Sequence, residues 1–173
     1  MEKTLGKSLR LEFDKRIKFN FSDFELVPEP GAHFWPGERV YVSRKSEMFW
    51  SVLVMSPNPN GTDSFTLEIG WSRKGRLPQL AKRPSTCPPK NEIEAIQSDE
   101  YVTRLGYLCD VEWEFIWLQS KTMLMDEAGN QRAIDSADSE PRRGIDPALD
   151  FVLAELSSKG IPFLTAAEQH GSS

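Results

Sequence analysis

Residues 48–71 read MFWSVLVMSPNPNGTDSFTLEIGW, and this stretch decides the fold. Its first nine residues are apolar on both alternating sides, with Met48, Trp50, Val52 and Val54 on one and Phe49, Leu53 and Met55 on the other. A strand apolar on both sides belongs at the centre of a sheet. Pro57, Asn58, Pro59, Asn60 and Gly61 cannot continue it, because proline lacks the backbone donor and asparagine and glycine favour turns. Phe65, Leu67, Ile69 and Trp71 then alternate with Thr66, Glu68, Gly70 and Ser72, the two-residue period of a second strand. The chain reverses between them, so the two strands form a long antiparallel hairpin.

Upstream, Val40 and Val42 alternate with Tyr41 and Ser43, which predicts a half-buried strand over 39–44. Phe24 and Leu26 ahead of Pro28-Glu29-Pro30-Gly31 predict a short strand and a turn, with a loop or strand start at 33–37. Leu5, Leu9, Phe13 and Ile17 recur every four residues among charged neighbours, giving an amphipathic helix over about 4–18. Downstream, 101–110 and 111–119 read as strands, although 101–108 also suits a helical turn. The polar segment 126–144 reads as irregular. Asp146 as N-cap, Pro147 at the first helical position, an apolar stripe of Leu149, Val152, Leu153 and Leu156, and Gly160 as a stop predict a three-turn helix. Residues 165–173 are small and polar and read as a flexible tail. The expected fold is a single α+β domain over 1–164. It has an antiparallel sheet of five or six strands, the N- and C-terminal helices packed on one face, and the other face partly open.

Phe65 to Gly70, Cys87, Arg104 to Leu108, the aromatics Trp113 and Trp117, and Gly160 to Leu164 after a helix follow one another in an order that resembles a bacterial family of domain-of-unknown-function proteins. The resemblance runs from Leu5 to Leu164. It implies an N-terminal helix, a sheet and a helical C-terminal end. That family has no assigned activity, so the resemblance implies a fold and no chemistry.

With 39% hydrophobic and 27% charged residues, the 173-residue chain has the composition of an ordinary soluble domain and not of a collagen-like, coiled-coil or disordered chain. No run approaches the roughly 18 apolar residues that a membrane span requires. The first residues mix acids and bases where a secretory signal would be apolar, so a cytoplasmic location is expected. Cys87 and Cys109 lack CxxC spacing and read as reduced thiols.

Charge is divided along the chain. Residues 1–90 hold 15 bases and 10 acids, whereas 91–173 hold 6 bases and 16 acids. The sharpest contrast is local: residues 71–90 carry six bases and no acid, and 92–114 carry seven acids and one base. Trp71, Arg73, Lys74, Arg76, Lys82 and Arg83 are therefore the candidate partner-binding residues, an indole at the root of a basic loop. Three occupants suit such a loop: the chain's own acidic segment first, an acidic protein second, nucleic acid third.

Catalytic signatures are scarce. Of two histidines, His170 lies in the polar tail and His33 in a turn-rich loop, and neither HExxH nor a phosphate-binding glycine motif occurs. No metal or cofactor is expected. Glu68, Glu112 and Glu114 form an alternative acid cluster: on neighbouring strands, repulsion among them would raise one pKa and permit acid–base hydrolysis. A solvated sheet face, or salt bridges to the basic loop, accounts for them more simply. The expectation is a non-enzymatic protein-binding domain, immunity- or adaptor-like, with a carboxylate-dependent hydrolase and a nucleic-acid-binding protein as alternatives.

Overall fold

The computed structural model describes residues 2–57, 64–79, 92–109, 116–117, 122–125, 131–134 and 141–171. The four-residue stripe forms the buried side of helix α1 (Glu2–Asn20), where Leu9, Phe13 and Ile17 are buried. Strands β1 (Glu25–Val27), β2 (Arg39–Ser46), β3 (Phe49–Pro57) and β4 (Ser64–Ser72) follow. Helix α2 (Glu92–Ile96), strand β5 (Glu100–Arg104) and helix α3 (Leu105–Leu108) come next. Strands β1 to β5 are antiparallel neighbours in chain order, and a short β6 (Ile116–Trp117) pairs with the start of β4 through Phe65 and Ile116. Strands β7 (Thr122–Met125) and β8 (Gln131–Ile134) form a separate antiparallel pair. Helix α4 (Pro141–Glu155), a π-helical turn (Leu156–Gly160) and α5 (Ile161–Gly171) complete the order.

The expected α+β architecture holds: α1, α4 and α5 cover one face of the sheet. Leu53, Met55, Leu67, Ile69 and Trp71 point into that side and share one core with Phe13, Leu149, Val152 and Phe163. Phe13 meets Tyr41 at 5.7 Å between ring centroids, which seats α1 on β2. Arg16 joins α1 to α4 through Asp146, at 2.6 Å, and Asp150.

The second face is partly covered. Val27, Val40, Val42, Val52 and Val54 form a second buried cluster, with Phe34, Trp50, Leu77 and Val102 packed against it. The loops at 28–38 and 73–79 supply Phe34 and Leu77, so two segments read only as turn-rich or basic also carry covering side chains. Gly70 lies in this layer opposite Val52 and Val102. A Cβ there would sit 2.8 Å from Val102 Cα, so only glycine lets β4 and β5 approach this closely.

The C-terminal part departs most from the sequence reading. The helix begins at Pro141, and Pro147 lies inside it. Asp146 does not act as an N-cap; its carboxylate takes the Arg16 guanidinium. Gly160 does not stop the chain, because the π-helical turn leads directly into α5 and carries residues 165–171, expected as a tail, in helical form. A Cβ on Gly160 would lie 2.8 Å from Leu156 Cδ1 and 3.1 Å from Leu105 Cδ1. The glycine therefore serves close packing rather than a left-handed cap. Residues 101–110 divide into β5 and the turn of α3, and β8 lies within the segment read as irregular. Of the strand expected at 111–119, only Ile116 and Trp117 fall among the described residues.

Candidate partner-binding face

Strand parity sends Trp71 to the helix side. It is 0% exposed, packs on Tyr101 and Phe163 at 5.3 Å each, and donates its indole N–H to the Ser98 carbonyl at 2.9 Å. A side chain so enclosed cannot anchor a partner. Arg73 also turns inward. Its guanidinium donates to the carbonyls of Ser98, Ile96 (3.1 Å) and Ala167 (2.6 Å), while lying over the rings of Phe49 and Trp71. Burial pulls its pKa down from the usual arginine value, and nearby Asp99 opposes that shift. Arg73 thus holds α2 and α5 against the end of β4, a structural task that removes it from the candidate surface.

Lys74 and Arg76 are exposed, as expected. Lys74 reaches Asp99 at 3.6 Å, so the start of the basic loop does lie against the chain's own acidic segment. Lys82, Arg83 and Cys87, together with Glu112 and Glu114, lie outside the described residues. The remaining member of the acid cluster, Glu68, is only 4% exposed and stands opposite Arg104 in the β4–β5 register. It belongs to the buried valine layer and not to a solvated face. His33 is exposed in the 28–38 loop, and Cys109 is a buried thiol after α3.

What the fold assembles instead is a row across the end of the second face: Arg44, Trp50, Ser72 and Glu100 are successive register partners on β2, β3, β4 and β5. The Arg44 guanidinium lies 5.4 Å from the centroid of Trp50, and that of Arg76 lies 6.0 Å from it. Both arginines are exposed, and among the described residues neither has an ion-pair partner. Contact with an aromatic face steadies a guanidinium while those of its N–H groups not already bonded stay available to carboxylates.

The supports on either side are preformed. Arg44 donates from Nε and Nη2 to the Ser46 and Glu47 carbonyls, each at 3.4 Å, bracing the β2–β3 turn next to a register shift. Ser72 Oγ donates to Glu100 at 2.8 Å and accepts the backbone N–H groups of Lys74 (3.1 Å) and Gly75 (3.2 Å). Gln79 donates its backbone N–H to the same carboxylate at 3.3 Å. The loop carrying Arg76 is therefore fastened at both ends to the sheet.

Arg44 and Trp50 were not singled out from sequence. The available signal was parity: Trp50 shares a side with Val52 and Val54, whereas Trp71 shares one with Ile69 and Leu67. Among the described residues no group of three or more histidine, cysteine, aspartate or glutamate side chains is placed to hold a metal ion, and no helix is long and apolar enough to cross a membrane. Comparison with protein-family models, curated proteins and solved structures finds no match to this chain.

Proposed function

We propose that this protein is a non-catalytic binding domain, immunity- or adaptor-like in kind, that engages an acidic segment of another protein through Arg44, Trp50 and Arg76. The observation that carries the reading is the pair of exposed guanidinium groups over one half-buried indole. Tryptophan and arginine dominate binding hot spots, and a guanidinium recognises carboxylates through two parallel hydrogen bonds. The net charge of −5 disfavours a long polyanion such as nucleic acid, whose phosphates would meet repulsion beyond the small cationic patch. A short acidic segment avoids that cost. A cytoplasmic setting, with its reduced thiols, is part of the same proposal.

The test uses a fluorescently labelled oligoglutamate peptide and a labelled single-stranded oligonucleotide of equal charge, with binding followed by anisotropy at two salt concentrations. The peptide is expected to bind, to weaken as salt rises, and to lose at least tenfold in affinity in the Arg44→Glu, Arg76→Glu double variant with an unchanged far-ultraviolet circular dichroism spectrum. Absence of peptide binding, equal binding by the double variant, or tighter binding of the oligonucleotide would overturn the reading.

A further inference from the structure

We infer that the acidic segment bound at this face carries one large apolar side chain, which seats against Trp50 and Leu77 beside Met48 while neighbouring carboxylates meet Arg44 and Arg76. This rests on the binding reading above and specifies its ligand. Trp50 and Leu77 are half-buried side chains packed on the valine cluster, so each keeps apolar surface in contact with solvent. Met48, in the β2–β3 turn and two residues from Trp50, is 67% exposed. The exposed cations Arg44, Lys74 and Arg76 flank these side chains along the chain. A purely charged ligand would leave the apolar centre wet. A ligand with an apolar anchor would exclude that water and shield the ion pairs around it, the arrangement found where a few residues dominate affinity.

Charge complementarity fixes the other half of the ligand. The guanidinium groups call for carboxylates on either side of the anchor, and the braced turn and fastened loop hold both arginines near their binding positions in advance, which limits the entropy lost on association.

Two labelled peptides of equal length and charge separate this inference from the broader reading: an oligoglutamate with one central serine, and the same peptide with phenylalanine in place of the serine. The phenylalanine peptide is expected to bind about ten- to a hundredfold more tightly. That gain should vanish in Met48→Ser, Leu77→Ala protein whose far-ultraviolet circular dichroism spectrum matches that of the parent. Met48→Ser alone, at an exposed turn position, should reduce the gain without touching the fold. Equal binding of both peptides, still dependent on Arg44 and Arg76, would overturn the apolar anchor and leave the acidic-partner reading standing. A gain that survives both variants would likewise overturn it, and binding of neither peptide would remove both.

Discussion

Arg73 donates to the carbonyl oxygen of Ala167 at 2.6 Å, joining the end of β4 to α5 across 94 positions of sequence. The same guanidinium satisfies the carbonyls of Ile96 and Ser98, and the Arg73 backbone N–H satisfies Asp99 at 2.8 Å. Three carbonyls, of Ile96 in α2, Ser98 just beyond it and Ala167 in α5, converge on one planar fork, a geometry that a lysine ammonium cannot reproduce. Arg73→Lys is therefore expected to lower stability by about 1–3 kcal/mol, since each carbonyl left unsatisfied in a partly buried setting is unfavourable. Lys74→Ala, one residue on, should change it by less than about 0.5 kcal/mol, because an exposed ion pair contributes little. Urea midpoints of the two variants give the comparison, and similar losses would show that Arg73 is not the tie described.

Gly160 supplies a prediction in which two effects have opposite signs. In a helical position, glycine to alanine ordinarily stabilises by about 1 kcal/mol. Here the added methyl would meet Leu156 Cδ1 at 2.8 Å and Leu105 Cδ1 at 3.1 Å. Overpacking of a fitted core typically destabilises by about 1–3 kcal/mol, so packing should win and Gly160→Ala should lower the melting temperature. Gly75→Ala is the control, since a Cβ there meets nothing within 4 Å; it should be neutral or slightly stabilising.

The contrast at Gly160 also shows where sequence reading reaches its limit. The β3–β4 hairpin was legible because alternation over nine residues is a local signal, whereas its register, Val52 to Gly70 and Leu53 to Ile69, is seen only in the structure. The two uses of glycine, a positive φ or a missing Cβ, leave no distinguishing local mark, so a packing glycine and a capping glycine look alike in sequence. Asp146 was similarly read as a cap because its partner Arg16 stands 130 positions away. At the candidate face, parity could place Trp50 opposite Trp71. Nothing local could show that α1, α4 and α5 would enclose the Trp71 side while Arg44 and a loop from the far end of β4 met over Trp50. Arg73 and Arg76 look equivalent in sequence, yet one satisfies backbone carbonyls and the other faces solvent.

Tyr41 gives a pH dependence. Its hydroxyl donates to Asp14, which also pairs with Arg39 at 3.2 Å. Burial, and then the hydrogen bond and charge of Asp14, push the phenol above its ordinary value of 10.0, with Arg39 opposing. The folded state therefore holds this proton more tightly than the unfolded chain does. Its stabilising contribution is complete below about pH 10 and is lost as pH rises above that value. Tyr41→Phe should lose about 1–2 kcal/mol at neutral pH, because a buried hydrogen bond to a carboxylate disappears. It should also show a shallower decline of the urea midpoint between pH 9 and 11 than the parent protein. Parallel declines would place the alkaline sensitivity elsewhere.

The proposed binding face should be separable from stability. Val52 lies at the centre of the second buried cluster and is 0% exposed, so Val52→Ala should destabilise by about 1–3 kcal/mol through the cavity it leaves. Arg44 and Arg76 sit at the rim of the same layer, held mainly by contact with Trp50. An exposed cation–π contact contributes about 0.5–1 kcal/mol at most, and the hairpin hydrogen bonds of Arg44 at 3.4 Å are long. Arg44→Ala and Arg76→Ala should therefore each cost less than about 1 kcal/mol in urea unfolding, with a clear gap to Val52→Ala. Losses from the arginine variants as large as that from Val52→Ala would mean that these side chains hold the sheet together, and an arginine needed for the fold is not available to recognise a partner.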